Sequence, residues 1–224
     1  LRPTRIQERL GQLIAFDANQ ENNNMTDLNS LQPLLDCFPV TVALNDRRMV
    51  ELRLAKPGDD EAILQFARGL PEDDLLFLRV DITQESAVAN WLANVASGTT
   101  VTLLAFDGDR LAGYATVDRN PARWTRRVGE IRVNLASDYR SLGLGRQLIA
   151  KIFDVARALG LRKIMAHMTP DQLGSQAAFK RLGFMPEALL ADYVEDRRGR
   201  SHDLVIMSHD IDGFTDQDDQ ALRL

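Results

Sequence analysis

A mixed α/β fold is predicted: a central mixed, twisted sheet of about seven strands flanked by helices, with an extra helix at the N-terminus. Three observations carry it. Short alternating runs of apolar and polar residues recur along the chain and are interleaved with runs of 3.6-residue period. Asn45-Asp46-Arg47, Asp107-Gly108-Asp109 and Arg197-Arg198-Gly199-Arg200 each join two such alternating runs, which marks hairpins. A strand pattern at 128–136 passes through glycines straight into an amphipathic helix, so strand and helix layers meet there.

The elements follow in order. Ile6, Leu10, Leu13 and Ile14 share one face at helical spacing, after a proline suited to a first turn. Residues 17–30 are rich in Asn, Asp and Gln and read as a linker. Val40–Leu44 and Met49–Leu54 form the first hairpin, and Pro57-Gly58-Asp59-Asp60 then breaks the strand and starts a helix at 60–69. A second helix fits 84–96, with Val88, Leu92 and Val95 on one side. Strands fit 101–106, 111–117 and 128–136. In the helix at 144–159, Leu148, Ile152, Val155 and Leu159 line one face, and Gly160 ends it. A strand at 162–168, a helix at 171–182 and strands at 188–195 and 202–209 complete the pattern. The domain division is therefore 1–39 for the helix and polar linker, 40–211 for the α/β domain, and 212–224 for an acidic tail.

Composition narrows the function. The chain has 224 residues, enough for one large domain and an appendage, and its apolar fraction of 45% suits a globular core. A net charge of −5 disfavours nucleic-acid binding, which needs a basic face. A single cysteine, Cys37, excludes an internal disulfide framework. No apolar run approaches a membrane span and no signal peptide is visible, so a cytoplasmic protein without a membrane partner is expected. His167, His202 and His209 lack metal-ligand spacing, so no metal is expected.

The most informative stretch is 128–145. Ile131, Val133 and Leu135 alternate with Glu130, Arg132 and Asn134, so one face of this strand is apolar and the other polar. Arg140-Ser141-Leu142-Gly143-Leu144-Gly145 follows at the start of the helix. Glycines there let backbone N–H groups crowd around an anion, and the helix N-terminus adds partial positive charge. With Phe179-Lys180-Arg181-Leu182-Gly183-Phe184 downstream, the chain resembles the GNAT superfamily of N-acetyltransferases over about residues 49–210. The first motif is similar to the family's pyrophosphate cradle, and the second to its Tyr-x-x-Leu-Gly-Phe ending. The hairpin and Arg53–Asp59 resemble the opening of bacterial protein-lysine acetyltransferases.

The resemblance implies an acetyl-CoA-dependent acyltransferase that moves an acetyl group directly to a primary amine, on a small molecule or a protein lysine, in a ternary complex. Acetyl-CoA enters as cosubstrate, and a homodimer is among the assemblies it allows. Glu130 falls at the position of a general base, and the Leu135 N–H at that of the oxyanion donor. Val133 and Leu135 fall at the backbone positions that hold pantetheine. Arg140, Ser141, Leu142, Gly143, Leu144, Gly145 and Arg146 correspond to the diphosphate loop, and Gln172 to an asparagine that contacts the pantetheine arm. Phe179 stands where the family usually carries a tyrosine acid, and it has no proton to give. The acid role passes to water, to the ammonium of the substrate, or to a residue such as Tyr139 or Tyr193. A different-class alternative is an acyl-CoA-binding regulatory module with little or no turnover. Arg119, Arg123, Arg126 and Arg127 around Trp124 read as a solvated basic loop, with recognition of a carboxylate or phosphate as the sharper alternative. Asp73 and Asp74 read as a solvated turn bordering the acceptor region.

Overall fold

A computed structural model describes residues 36–75, 78, 80–120 and 124–211. The expected helix within 4–16, the linker at 17–30 and the tail after 211 lie outside the described residues. The strands are β1 (Val40–Ala43), β2 (Met49–Leu54), β3 (Thr100–Asp107), β4 (Arg110–Arg119), β5 (Val128–Leu135), β6 (Lys163–Met168), β7 (Met185–Glu195) and β8 (Ser201–Asp210). The helices are α1 (Asp60–Arg68), α2 (Glu72–Leu75), α3 (Glu85–Ala96), α4 (Leu144–Ala158) and α5 (Leu173–Arg181).

The sheet has eight strands in the order β1-β2-β3-β4-β5-β6-β8-β7. This agrees with the expected sheet of about seven strands, and the N-terminal hairpin is part of it through the pairing of β2 with β3. Two boundaries differ. The short helix α2 was not legible, since four residues carry no periodicity. β7 begins at Met185 and contains Pro186, which a strand tolerates here because β7 is the sheet edge.

All neighbouring strands are antiparallel except β5 and β6, whose parallel pairing spans only Val128–Glu130 against Lys163–Met165. α4 makes the crossover between them, as a parallel pair requires. α4 buries Leu144, Leu148, Ile149, Ile152 and Val155 in a core with Leu103, Val117, Ile131, Ile164 and Phe184. A second core holds Ile63, Leu64, Phe66, Val88, Leu104 and Tyr114, so α1 and α3 serve the other face. No described helix is long and apolar enough to cross a membrane.

Candidate active site

The site begins where β5 loses a neighbour. In an antiparallel ladder the hydrogen bonds alternate sides along a strand. The Ala136 N–H donates to the Ala112 carbonyl at 2.9 Å, just beyond the Leu135–Gly113 pair of β5 and β4. Even-numbered β5 residues therefore bond to β4, and 131, 133 and 135 turn their N–H and C=O groups to the opposite edge. β6 covers that edge only as far as Glu130, paired with Met165, and then continues beside β8 to Met168. Past Glu130 the two parallel strands part. Val133 and Leu135, the two residues expected to contact pantetheine, thus present backbone amides to the gap.

The gap leads to the glycine loop. Ser141 and Gly143 have positive φ, 61° and 89°, which turns the chain sharply before α4. The loop is held from behind by the β1–β2 hairpin: the Asn45 N–H donates to the Leu142 carbonyl at 3.0 Å, and a Cβ on Gly143 would meet Asn45 Oδ1 at 3.2 Å. A Cβ on Gly145 would meet Leu135 Cδ1 at 3.3 Å, so the helix start sits close against the end of β5. The first helical bond runs from the Gln147 N–H to the Gly143 carbonyl, and no side chain caps this end. The N–H groups of Leu144, Gly145 and Arg146 are left without an intrahelical acceptor, and the first turn holds no acidic residue. This cradle fits a diphosphate.

The remaining predicted residues are placed less freely. Arg146 is exposed beside the cradle. Arg140 is ion-paired to Asp74 on α2 and donates to the Leu135 carbonyl at 3.3 Å. Gln172 does not extend its amide: its Oε1 accepts the Thr169 N–H at 3.0 Å, at the start of α5. Phe179 is buried, with its ring edge-on to Phe184 at 5.0 Å in the α4-side core. Tyr139, one of the alternative acids, is held within the fold. It is buried, its hydroxyl donates to Asp107 Oδ2 at 2.7 Å, and burial with that carboxylate raises its pKa. Tyr193 is well exposed on β7.

The polar face of β5 lies on the α1 and α3 side. Glu130 Oε1 accepts from Arg132 Nε at 3.1 Å and Nη2 at 3.0 Å. Arg132 Nη2 also lies 3.3 Å from Asp118 Oδ2 on β4, whose other oxygen accepts from Thr100 Oγ1 at 2.6 Å. Asn134 Nδ2 donates to the Tyr114 hydroxyl at 2.6 Å, and burial raises the pKa of that phenol. His167 Nδ1, on β6 just past the parting of the strands, lies 3.6 Å from Glu130 Oε1. A second acidic region, around α2, is clasped by arginines. Arg198 at the β7–β8 turn donates to Glu72 at 2.6 Å, and Arg197 is paired with Asp81.

Sequence reasoning passed over His167, Asp118 and the arginine clasp. Strand parity was the one signal for His167, since Met165 pairs with Glu130 and His167 shares the face of Met165. Nothing local marks Asp118 or Arg198. Of the basic loop, Arg123 lies outside the described residues, Trp124 is 92% exposed, and Arg119 turns back to donate to the Gly98 carbonyl at 2.8 Å.

A parallel pair thus parts in mid-sheet and opens onto an uncapped helix start. The chain belongs to the acetyltransferase (GNAT) family, a family of acyltransferases, whose model matches residues 64–184. A mycothiol acetyltransferase from Geodermatophilus obscurus is 34% identical over 89 residues, covering 38% of this chain and 29% of that protein. That match takes in less than a third of the relative's length. The ribosomal-protein-alanine N-acetyltransferase of Brucella melitensis superposes with a TM-score of 0.64 at 24% identity, over 71% of this chain and 98% of that one. The Salmonella typhimurium protein yncA, solved with its cofactor acetyl-CoA, gives a TM-score of 0.64 at 21% identity, over 74% of this chain and 96% of that one. At these identities the two structures establish the fold.

Proposed function

We propose that this chain is an acetyl-CoA-dependent N-acetyltransferase that transfers the acetyl group directly to a primary amine, on a small molecule or a protein lysine, within a ternary complex. One observation carries the reading: the open edge of β5 from Ile131 to Leu135 runs into the uncapped start of α4. Seated there, acetyl-CoA supplies a thioester whose C–S bond breaks as the amine nitrogen forms its C–N bond.

The residues divide the work. The amides of Leu144, Gly145 and Arg146, with the Arg146 charge beside them, hold the diphosphate. Val133 and Leu135 hold the pantetheine by backbone hydrogen bonds along the open edge of β5. The amine must be neutral to attack, and the acid–base pair at the mouth of the gap, Glu130 with His167, stands ready to receive its proton. Direct transfer fits the place of Cys37, the chain's single cysteine, which precedes β1 and the matched region.

The test is a melting-temperature shift with acetyl-CoA, followed by CoA release against a panel of amines, amino acids and lysine peptides. A shift with amine-dependent CoA release supports the reading. A shift without release by any amine would leave the regulatory acyl-CoA-binding module instead. No shift would remove both.

A further inference from the structure

We propose that His167 is the group that takes the proton from the acceptor amine, and that Glu130 acts through it as a positioning residue. This rests on the acetyltransferase reading above and names the atom at which its proton transfer occurs.

Three features of the site lead here. First, the Glu130 carboxylate is already engaged. Its Oε1 accepts two hydrogen bonds from Arg132, and that arginine is itself held by Asp118. The oxygen that faces His167 is thus the one that Arg132 holds in place. Second, His167 is on the exposed side of the same cluster, on the segment of β6 that has left β5. It faces the side of the sheet that carries Glu130, while the coenzyme cradle lies at the far end of β5. Third, the ring is aimed. Nδ1 is the nitrogen toward Glu130, at 3.6 Å. A carboxylate on that side favours the proton on Nδ1 and leaves the Nε2 lone pair as the basic site.

The charged groups around the imidazole are consistent with this division. Glu130 and Arg132 come from β5, with Asp118 of β4 behind the arginine. Lys163, on the same face of β6, is committed to Glu187 and Asp210.

In the step itself, the amine nitrogen forms the C–N bond and its proton moves to His167 Nε2. The electron pair of the broken C–S bond leaves on sulfur. The imidazolium then returns its proton to solvent, which restores the base.

The experiment compares wild type, His167→Gln and Glu130→Gln with acetyl-CoA and the best amine of the panel. The imidazole tautomer is read separately from ring ¹⁵N shifts in the free chain. His167→Gln should lower kcat/KM by about 100-fold and remove the acid limb of its pH profile, with the acetyl-CoA melting shift intact. The ¹⁵N shifts should show the Nδ1–H form in wild type and a return toward the Nε2–H form in Glu130→Gln. Overturning results are a His167→Gln rate within about threefold of wild type with its acid limb retained, or a tautomer indifferent to Glu130→Gln. If wild type releases no CoA with any amine, the acetyltransferase reading itself fails and takes this proposal with it. The loss of the His167 effect alone leaves that reading standing, with Glu130 or water as the base.

Discussion

The two ends of β5 are built by different means. At the Leu135 end the site is backbone: amides at an open strand edge, positive-φ turns at Ser141 and Gly143, and the uncapped N–H groups of α4. At the Glu130 end it is side chain: Glu130, Arg132, Asp118 and His167 from three strands, each placed by a partner. The difference teaches where specificity is written. A backbone cradle serves any sequence that can turn the corner, and it suits an invariant diphosphate. A cluster of paired charges depends on which residues meet across strands, and it suits an acceptor that differs from one protein to the next.

The comparison can be broken most forcefully at the cradle. Gly143→Asp puts a side chain at a φ of 89°, its Cβ 3.2 Å from Asn45 Oδ1, and a carboxylate beside the proposed diphosphate seat. The acetyl-CoA melting shift should vanish; with ligand at 100 times Kd that shift corresponds to about 2.7 kcal/mol. A folded Gly143→Asp chain with the full shift would show that the loop does not hold the coenzyme.

At the other end, Glu130→Gln keeps the shape and removes the charge. The rate at neutral pH should fall by about 100-fold while the melting shift stays. Loss of the melting shift in this variant would mean that the two ends are not separable.

The third prediction concerns the β7–β8 turn, whose arginines reach toward α2. Asp196 is buried there and accepts from His202 Nε2 at 2.9 Å, Arg200 Nε at 2.9 Å, and the Arg198 and Arg200 amides. The His202 hydrogen bond, with the Arg198 and Arg200 donors, holds its carboxyl far below the ordinary 3.8. A depressed folded pKa contributes stability that is present above 3.8 and lost as pH falls through the folded value. Asp196→Asn should therefore melt lower than wild type at pH 7 and lose less stability below pH 3.8. Parallel acid melting curves for the two chains would contradict this.

The smallest effect is expected at Arg140, which pairs with Asp74 beside the Leu135 end. Asp74→Asn frees the guanidinium for the diphosphate. An exposed pair is worth roughly 0.2–1 kcal/mol, so acetyl-CoA should bind up to about fivefold tighter at low salt, with the gain fading as salt rises. Weaker binding would place Asp74 on the coenzyme side.

The same contrast explains what could be read in advance. The glycine loop was legible because its signal is contiguous: a strand, a turn and an amphipathic helix within 128–159. The eight strands were legible from alternation, though not the joining of the N-terminal hairpin to the sheet, which depends on β2 meeting β3 across more than forty residues of chain. Phe179 was read as a departure at the coenzyme site, and the structure places its ring in the core against Phe184. Gln172 was read as a pantetheine contact, and its Oε1 accepts the Thr169 N–H. His167 was passed over because nothing in its neighbours in sequence reveals that β6 leaves β5 just before it.

The most direct measurement is amide hydrogen exchange along 128–146 with and without acetyl-CoA. The account predicts added protection at Val133 and Leu135, whose N–H groups face the gap, and at Leu144, Gly145 and Arg146 in the cradle. It predicts no change at Arg132 and Asn134, whose N–H groups already bond to β4. Protection confined to another part of the sheet, or none along β5 and the start of α4 at saturating acetyl-CoA, would contradict it.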